Sequence, residues 1–428
     1  MLAVDEFGTN QWRANAMLKE MKTTLILSIA GLILLVCGVN GTTGAQTLTG
    51  RAVLPADTFA PGPASGQFIG PANGRTPPFA MQPVQGISAV LQGPGGSYLV
   101  MCDNGFGAKS NSADFVLRVY RLDPDFKTKS GGTGSVNFEV FFTLRDPDHK
   151  INFPIIAELA KYPSSTIDVD PVIRNGRLLT GADFDIESFR RANDGTFWFG
   201  DEFGPFLLHT DASGRALEAP FPLAGVASPD DPLGRPANLP SSRGFEGMAL
   251  IPNGKSLYPL LEGSLTTDPD QHRLIINEFD LATKSYTGRQ WFYRLEQTIS
   301  TGQSIGDFTA VSDHRFLVIE RDGGQGASAH FKKIFLVDFD QVDSNGFLVK
   351  NEIVDLLNIA DPDDIAGTGT GVFTFPFVTI ESVIPLSATS IGVINDNNYP
   401  FSSGRVVGQP DNNEFIIIKL NRPLSEKK

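Results

Sequence analysis

Cysteine is nearly missing from this 428-residue chain, which has only Cys37 and Cys102. Cys37 lies just behind an apolar N-terminal run, so once that leader is removed Cys102 stands alone and an internal disulfide is excluded. An exported protein without disulfides must draw its stability from its core, with bound metal as the other source. Cys102, at the end of an apolar strand, reads as a small buried hydrophobe. Histidine is also scarce. The five present, His149, His209, His272, His314 and His330, form no His-x-His or His-x-x-x-His pair, which argues against a zinc hydrolase. The Gly-x-Ser-x-Gly elbow of serine esterases is lacking too, and Ser188, directly after Glu187, is the one serine to weigh as a nucleophile.

Positive charge is in deficit: 35 Lys and Arg stand against 48 Asp and Glu, a formal net charge of −13. Binding nucleic acid through its phosphates needs a basic face, so this balance argues against a nucleic-acid partner and against adhesion to an anionic membrane. It suits a host for calcium, whose ligands are oxygens; solubility is the plainer explanation. Long hydrophobic runs are lacking as well. The apolar stretch Leu25 to Val36 is too short to cross a bilayer comfortably. Behind Met21-Lys-Thr-Thr and ahead of the small residues Thr43-Gly-Ala45, it has the outline of a secretory signal peptide. Residues 1–45 are therefore read as a leader with its signal over 21–45, and residues 46–428 as one domain, secreted or periplasmic and free of the membrane after cleavage. Met1 to Glu20 is polar and mixed in charge, unusual ahead of an export signal, which makes Met21 a candidate start. An uncleaved anchor is the alternative. Val36 is bulky where a lipoprotein signal needs a small residue before its cysteine, so lipidation of Cys37 is not expected.

What the chain does have is a recurring hairpin. Arg243-Gly-Phe-Glu246-Gly-Met-Ala-Leu-Ile runs through the turn Pro252-Asn-Gly254 into Ser256 to Leu261 and Glu262, and Asn-Gly between two apolar segments is a strong hairpin signal. The outline returns at Gly86 to Asn104, Asp185 to Glu202, Asp307 to Asp322 and Phe377 to Asn397, often followed by a third apolar segment closing on an aspartate. The acidic positions 187, 246, 307 and 381 recur at a period of roughly 60 to 75 residues, so no unit can bury its apolar face alone. Antiparallel units stacked without helical connections predict an all-β, single β-propeller of five to seven blades, six favoured. Segments 46–85 and 145–184 are the places where degenerate blades can lie. Leu48 to Leu54 is expected to close the ring by joining the C-terminal strand Glu414 to Leu420, hiding edges that invite aggregation. A pair of β-sandwiches is the competing architecture, but no composition break marks a linker.

Several motifs resemble a known family. Asp185-x-Glu187-Ser, Phe197-Trp-Phe-Gly-Asp201-Glu202-Phe-Gly-Pro, Arg243-Gly-Phe-Glu246-Gly, Phe331-Lys-Lys-Ile-Phe-Leu-Val-Asp338 and Asn395-Asp-Asn-Asn-Tyr-Pro-Phe are similar to the phytase-like domain family, labelled "esterase-like activity of phytase". The resemblance runs from about Gly86 to Leu420 and implies an exported, propeller-like bacterial protein. Its label suggests hydrolysis of phosphate esters, without assigning catalytic residues to particular positions.

The candidate chemistry lies in the acids. Glu187, Glu246 and Glu381 belong to equivalent strands, with Asp307 in the matching place of its unit. A second set, Asp103, Asp201, Glu202, Glu262, Glu320 and Asp396, falls at the ends of the second strands. Carboxylates crowded at one channel mouth repel one another unless a cation neutralises them, and calcium accepts six to eight oxygens at flexible distances. The expected metal ligands are Glu187, Glu246, Asp307, Glu381, Asp201, Glu202, Glu262, Asp103 and Asp396. The plainer alternative is that these residues cap turns and bond backbone groups between blades. Glu246, Glu187 and Arg243 are the catalytic candidates, because a guanidinium recognises phosphate by paired hydrogen bonds while a carboxylate base positions water. Arg321, between Glu320 and Asp322, is expected simply to neutralise Glu320. The function expected is that of an exported, calcium-dependent phosphoric ester hydrolase, phytase-like or phosphodiesterase-like, monomeric and acting on a small anionic ester. The alternative is a non-enzymatic propeller stabilised by calcium that binds a ligand or protein.

Overall fold

The hairpins assemble into a β-propeller. The computed structural model describes residues 46–297 and 301–425, and the expected leader and its export signal lie outside the described residues. Each blade is a four-stranded antiparallel sheet. The first holds Ile87–Gln92, Tyr98–Cys102, Arg118–Asp125 and Ser135–Thr143. The second holds Ile186–Arg191, Phe197–Asp201, Phe206–Thr210 and the short Phe221–Pro222. Phe245–Leu250, Ser256–Leu261, Arg273–Asp280 and Ser285–Arg294 make the third. The fourth is Ser304–Ala310, Arg315–Arg321, Lys332–Val342 and Leu348–Asp355. Thr379–Ser387, Ser390–Asp396 and Asn413–Lys419 begin the fifth, and Thr47–Leu54 completes it as the outermost strand. The first strand of each blade packs on the first strand of the next, and the fifth on the first, which closes the ring.

Five blades lie at the low end of the expected range, one short of the favoured six. Neither candidate segment builds a blade. Residues 47–54 join the last blade, pairing antiparallel with Asn413–Lys419 and touching the first blade where Val53 pairs with Ser135. Residues 145–184 form a loop with a 3-10 turn, Ile156–Glu158, and a short helix, Pro171–Gly176. Pro171 at the first turn and the Asp170 side chain, which accepts the Val172 N–H at 2.8 Å, start that helix. Other acids of this loop serve the same local purpose: Asp146 accepts from Lys150 N and Ile151 N, and Asp168 pairs with Lys161.

The blades hold together through five apolar clusters, one at each interface between neighbours. An inner sheet packed on both faces needs apolar side chains on both, which is why Phe197–Asp201 and Ser256–Leu261 are buried throughout. The outer strand Ser135–Thr143 meets solvent on one face and alternates. In the third blade the first two strands are joined by Asn253-Gly254. Gly254 has φ +70°, a left-handed conformation that glycine adopts without strain, and this closes the turn.

Candidate functional site

All five innermost strands carry a β-bulge at the same level. The register skips one residue between Ile87 and Ala89, Ile186 and Ser188, Phe245 and Gly247, Ile305 and Asp307, and Ile380 and Ser382. An unpaired extra residue re-aims its side chain away from the alternation of the strand. The skipped residues are Ser88, Glu187, Glu246, Gly306 and Glu381. Just beyond their partners on the second strands come Asp103, Glu202, Glu262, Arg321 and Asp396. Together these form two rings at one mouth of the channel.

Blade four breaks the acidic pattern. An added Cβ on Gly306 would lie 2.0 Å from the Ile380 carbonyl oxygen, so the bulge there admits no side chain. Its second-ring residue, Arg321, reaches the blades on either side: one terminal nitrogen lies 3.0 Å from Glu381, 3.6 Å from Glu262 and 3.8 Å from Glu246. Arg243 pairs with Glu262 at 2.6 Å and donates to Ser304 Oγ at 3.1 Å. Ser88 Oγ donates to Glu381 at 3.1 Å. Among the described residues no cation comes within ion-pair distance of Asp103, Glu187, Glu202 or Asp396. The nearby Lys332 is engaged elsewhere, 3.0 Å from Asp322 and donating to the Val378 carbonyl.

Acids therefore outnumber cations at a buried place. Asp185, two residues ahead of Glu187, adds one more; Ser242 Oγ donates to its Oδ2 at 3.4 Å. Asp185 Oδ1, Glu202 Oε1 and Glu246 Oε1 are buried with no hydrogen-bond partner among the described residues. Burial, then the charge of Asp185 and of Glu246, pushes Glu187 well above the carboxylate range. Burial followed by Glu262 does the same to Glu246 and to Glu202. Glu381 rises to about 8 through burial and Asp396, with Arg321 pulling the other way.

Oxygens of Asp185, Glu187 and Glu202 lie within 4.8 Å of one another, as do those of Glu202, Glu246 and Glu262, so Glu202 belongs to both sets. Unpartnered buried oxygens converging from two neighbouring blades, without a histidine or cysteine among them, fit a hard cation such as calcium.

A family model described as phytase-like, "esterase-like activity of phytase", matches residues 82–399. The chain belongs to the phytase-like family. An uncharacterized secreted protein of Arthroderma benhamiae is 24% identical over an alignment of 261 residues that covers 52% of this chain and 49% of that one. The chain thus spans about half the length of that curated relative. Among solved structures, a luciferin-regenerating enzyme is similar at 12% identity and TM-score 0.35, covering 89% of this chain and 94% of its own. A GH43 endo-arabinanase from Bacillus licheniformis is similar at 11% identity and TM-score 0.35, covering 77% of this chain and 91% of its own. Neither likeness bears on the chemistry of the mouth.

In this phytase-like chain Glu187, Glu246, Glu381, Glu202, Glu262, Asp103, Asp396 and Arg243 meet at the mouth. Asp307 and Asp201 do not. Asp307 stands one residue past the bulge, where strand alternation turns it between the blades. There it accepts from Arg190 Nη2 at 3.2 Å and from Val383 N at 2.8 Å. Asp201 stands one residue before the second ring and accepts from Asp185 N and Gly204 N at 2.9 and 2.7 Å. Glu320 is displaced in the same way. It bonds Tyr293 OH and Lys350, not Arg321, which is free of the local pairing expected for it. Arg321 as a bridge across the mouth, and Asp185 as a member of the acidic group, were missed in the sequence. Asp185 had a signal, since it opens the Asp-x-Glu motif.

Proposed function

We propose that this phytase-like protein is exported and hydrolyses a phosphoric ester with a calcium ion at the channel mouth. The observation that carries the reading is the excess of buried carboxylates, with Asp185 Oδ1, Glu202 Oε1 and Glu246 Oε1 left without a hydrogen-bond partner among the described residues. Asp185, Glu187 and Glu202 would hold one ion, and Glu202, Glu246 and Glu262 offer an overlapping second place. A bound cation supplies neutralising charge and polarises a phosphoryl oxygen. Arg243, whose side chain is 37% exposed, faces the solvent side of the mouth and orients the phosphate by charge-assisted hydrogen bonds. Arg321, deeper, keeps Glu381, Glu246 and Glu262 in place. Glu187 and Glu246 are the bases within reach of a water, once neighbouring charge is balanced and they ionise. Export is supported by the signal-like run ending at Val36 and by the secreted relative.

The test is a panel of phosphomonoesters and phosphodiesters assayed with calcium and with chelator, alongside melting curves. Calcium-dependent turnover is expected, with a calcium-induced rise in melting temperature that Glu202→Gln abolishes. Turnover indifferent to chelator overturns the metal mechanism. A calcium shift with no ester turned over favours the non-enzymatic, calcium-stabilised binding propeller.

A further inference from the structure

Resting on that reading, we infer that the organic group of the ester is apolar and occupies a cavity of about 520 Å³ beside the acidic mouth. Of the four segments that bound this cavity, three are tied to the rings. Residues 107–110 follow Asp103 and Asn104 out of the first blade, Ala182 and Asp183 lead into Asp185 and Glu187, and residues 230–242 lead into Arg243. Ser242 lines the cavity while its hydroxyl donates to Asp185, so one wall of the cavity is the rim of the mouth. A phosphate held by Arg243 would therefore carry its ester group into this space.

The far wall is Phe153, Ile155, Ile156, Leu159 and Pro163. Phe153 is held in place by stacking on Phe206, centroids 5.7 Å apart. The polar groups of the lining are already engaged with the protein. Asp183 accepts from Ile156 N at 2.7 Å and from Thr180 N at 2.8 Å. Asp230 accepts from the Ser241 hydroxyl. Lys109, the one basic residue of the lining, donates to the Asp230 carbonyl at 2.9 Å and lies over the Phe203 ring at 5.1 Å. What the cavity offers a ligand is hydrocarbon surface, in a volume typical of small-molecule sites. A polyol such as inositol carries an oxygen on every carbon and has no apolar group to place there. Aryl or alkyl phosphoric esters do.

Calorimetry in calcium-containing buffer with two non-hydrolysable probes, phenylphosphonate and methylphosphonate, tests this. Phenylphosphonate is expected to bind at least about ten-fold more tightly, the scale of discrimination an apolar pocket achieves. Ala108→Phe, which fills the cavity from a surface loop, is expected to erase the preference, as is Leu159→Asn, which makes the far wall polar. A calcium-induced melting shift on the same samples reports that fold and mouth are intact. Equal affinity for the two probes, binding of neither, tighter binding of myo-inositol 1-phosphate, or a preference unchanged in both variants overturns the inference. A phenyl preference without turnover of any ester leaves the cavity assignment standing and removes the hydrolase reading instead.

Discussion

Two buried glutamates of this protein, Glu414 at the seam of the ring and Glu246 at its mouth, are driven in opposite directions. At the seam, burial pushes Glu414 up, but hydrogen bonds and charge from Arg405, then Arg51, outweigh it and hold the group below its ordinary value. Arg405 donates to both its oxygens at 2.8 and 2.9 Å, and Arg51 to one at 3.0 Å. At the mouth, Glu246 has a guanidinium no nearer than 3.8 Å and acids on several sides, and it is driven up. Burial is common to the two. The supply of cations differs, and it is this that marks the mouth as a place where charge must come from outside the chain.

The same substitution should act with opposite sign at the two places. Glu414→Gln strands two arginines that are each about a quarter exposed, and denaturant unfolding should report a loss of about 3 kcal/mol. If the loss is negligible, the contrast between seam and mouth is broken.

A somewhat smaller effect is expected from pH on the calcium-free protein. Glu381 at about 8, and Asp185 and Asp396 at about 6, all lie above the ordinary carboxylate values. The folded state then binds more protons than the unfolded one, so stability present at low pH is lost as pH rises from about 4.5 toward 8. Unfolding in chelator at pH 5 and at pH 8 should differ by at least about 1.4 kcal/mol, the equivalent of one unit on one group. Calcium should flatten the decline, and a stability that climbs with pH in chelator would contradict the crowding.

The smallest effect sharpens the contrast most. Glu246→Gln should raise the stability of the calcium-free protein at neutral pH by about 1 kcal/mol, because the folded state no longer has to hold a proton on a carboxyl that ionises in the unfolded chain. It should also forfeit the gain calcium brings to the native chain, about 2.7 kcal/mol at a hundred-fold excess over Kd. A calcium-free variant as destabilised as Glu414→Gln would place Glu246 among satisfied structural acids.

Much of this was legible in the sequence, and the failures share one cause. The hairpin recurrence yields the propeller, and Leu48 to Leu54 joins the last blade as its alternation suggests. Glu187, Glu246 and Glu381 each sit the same distance inside their units. The bulge, however, adds a residue without disturbing the apolar pattern, so the pattern cannot say whether Gly306 or Asp307 faces the channel. Between adjacent acids such as Asp201 and Glu202, only the pairing register decides, because one step along a strand reverses the side. Arg321 escaped for a different reason. Its local neighbours are acids, but its position in the second ring sends the long side chain toward partners in the blades on either side. The blade count came out lower than the favoured six because Ile151, Phe153 and Ile155, which alternate as a strand would, pack as a loop on the first interface without extending a sheet, and Pro154 between them has no N–H to give a ladder.

The seam has a consequence for how the chain is made. Arg51 and Glu414 are 363 residues apart in sequence, so the earliest strand of the domain must wait on the ribosome until its mate, nearly the last, has emerged. Four blades can be assembled while that strand still lacks a neighbour. Completion of the circle is then a late, long-range event, slow in the way that non-local β pairing is slow, and a truncation before Asn413 would leave a molecule with nearly all its blades and no means of locking them.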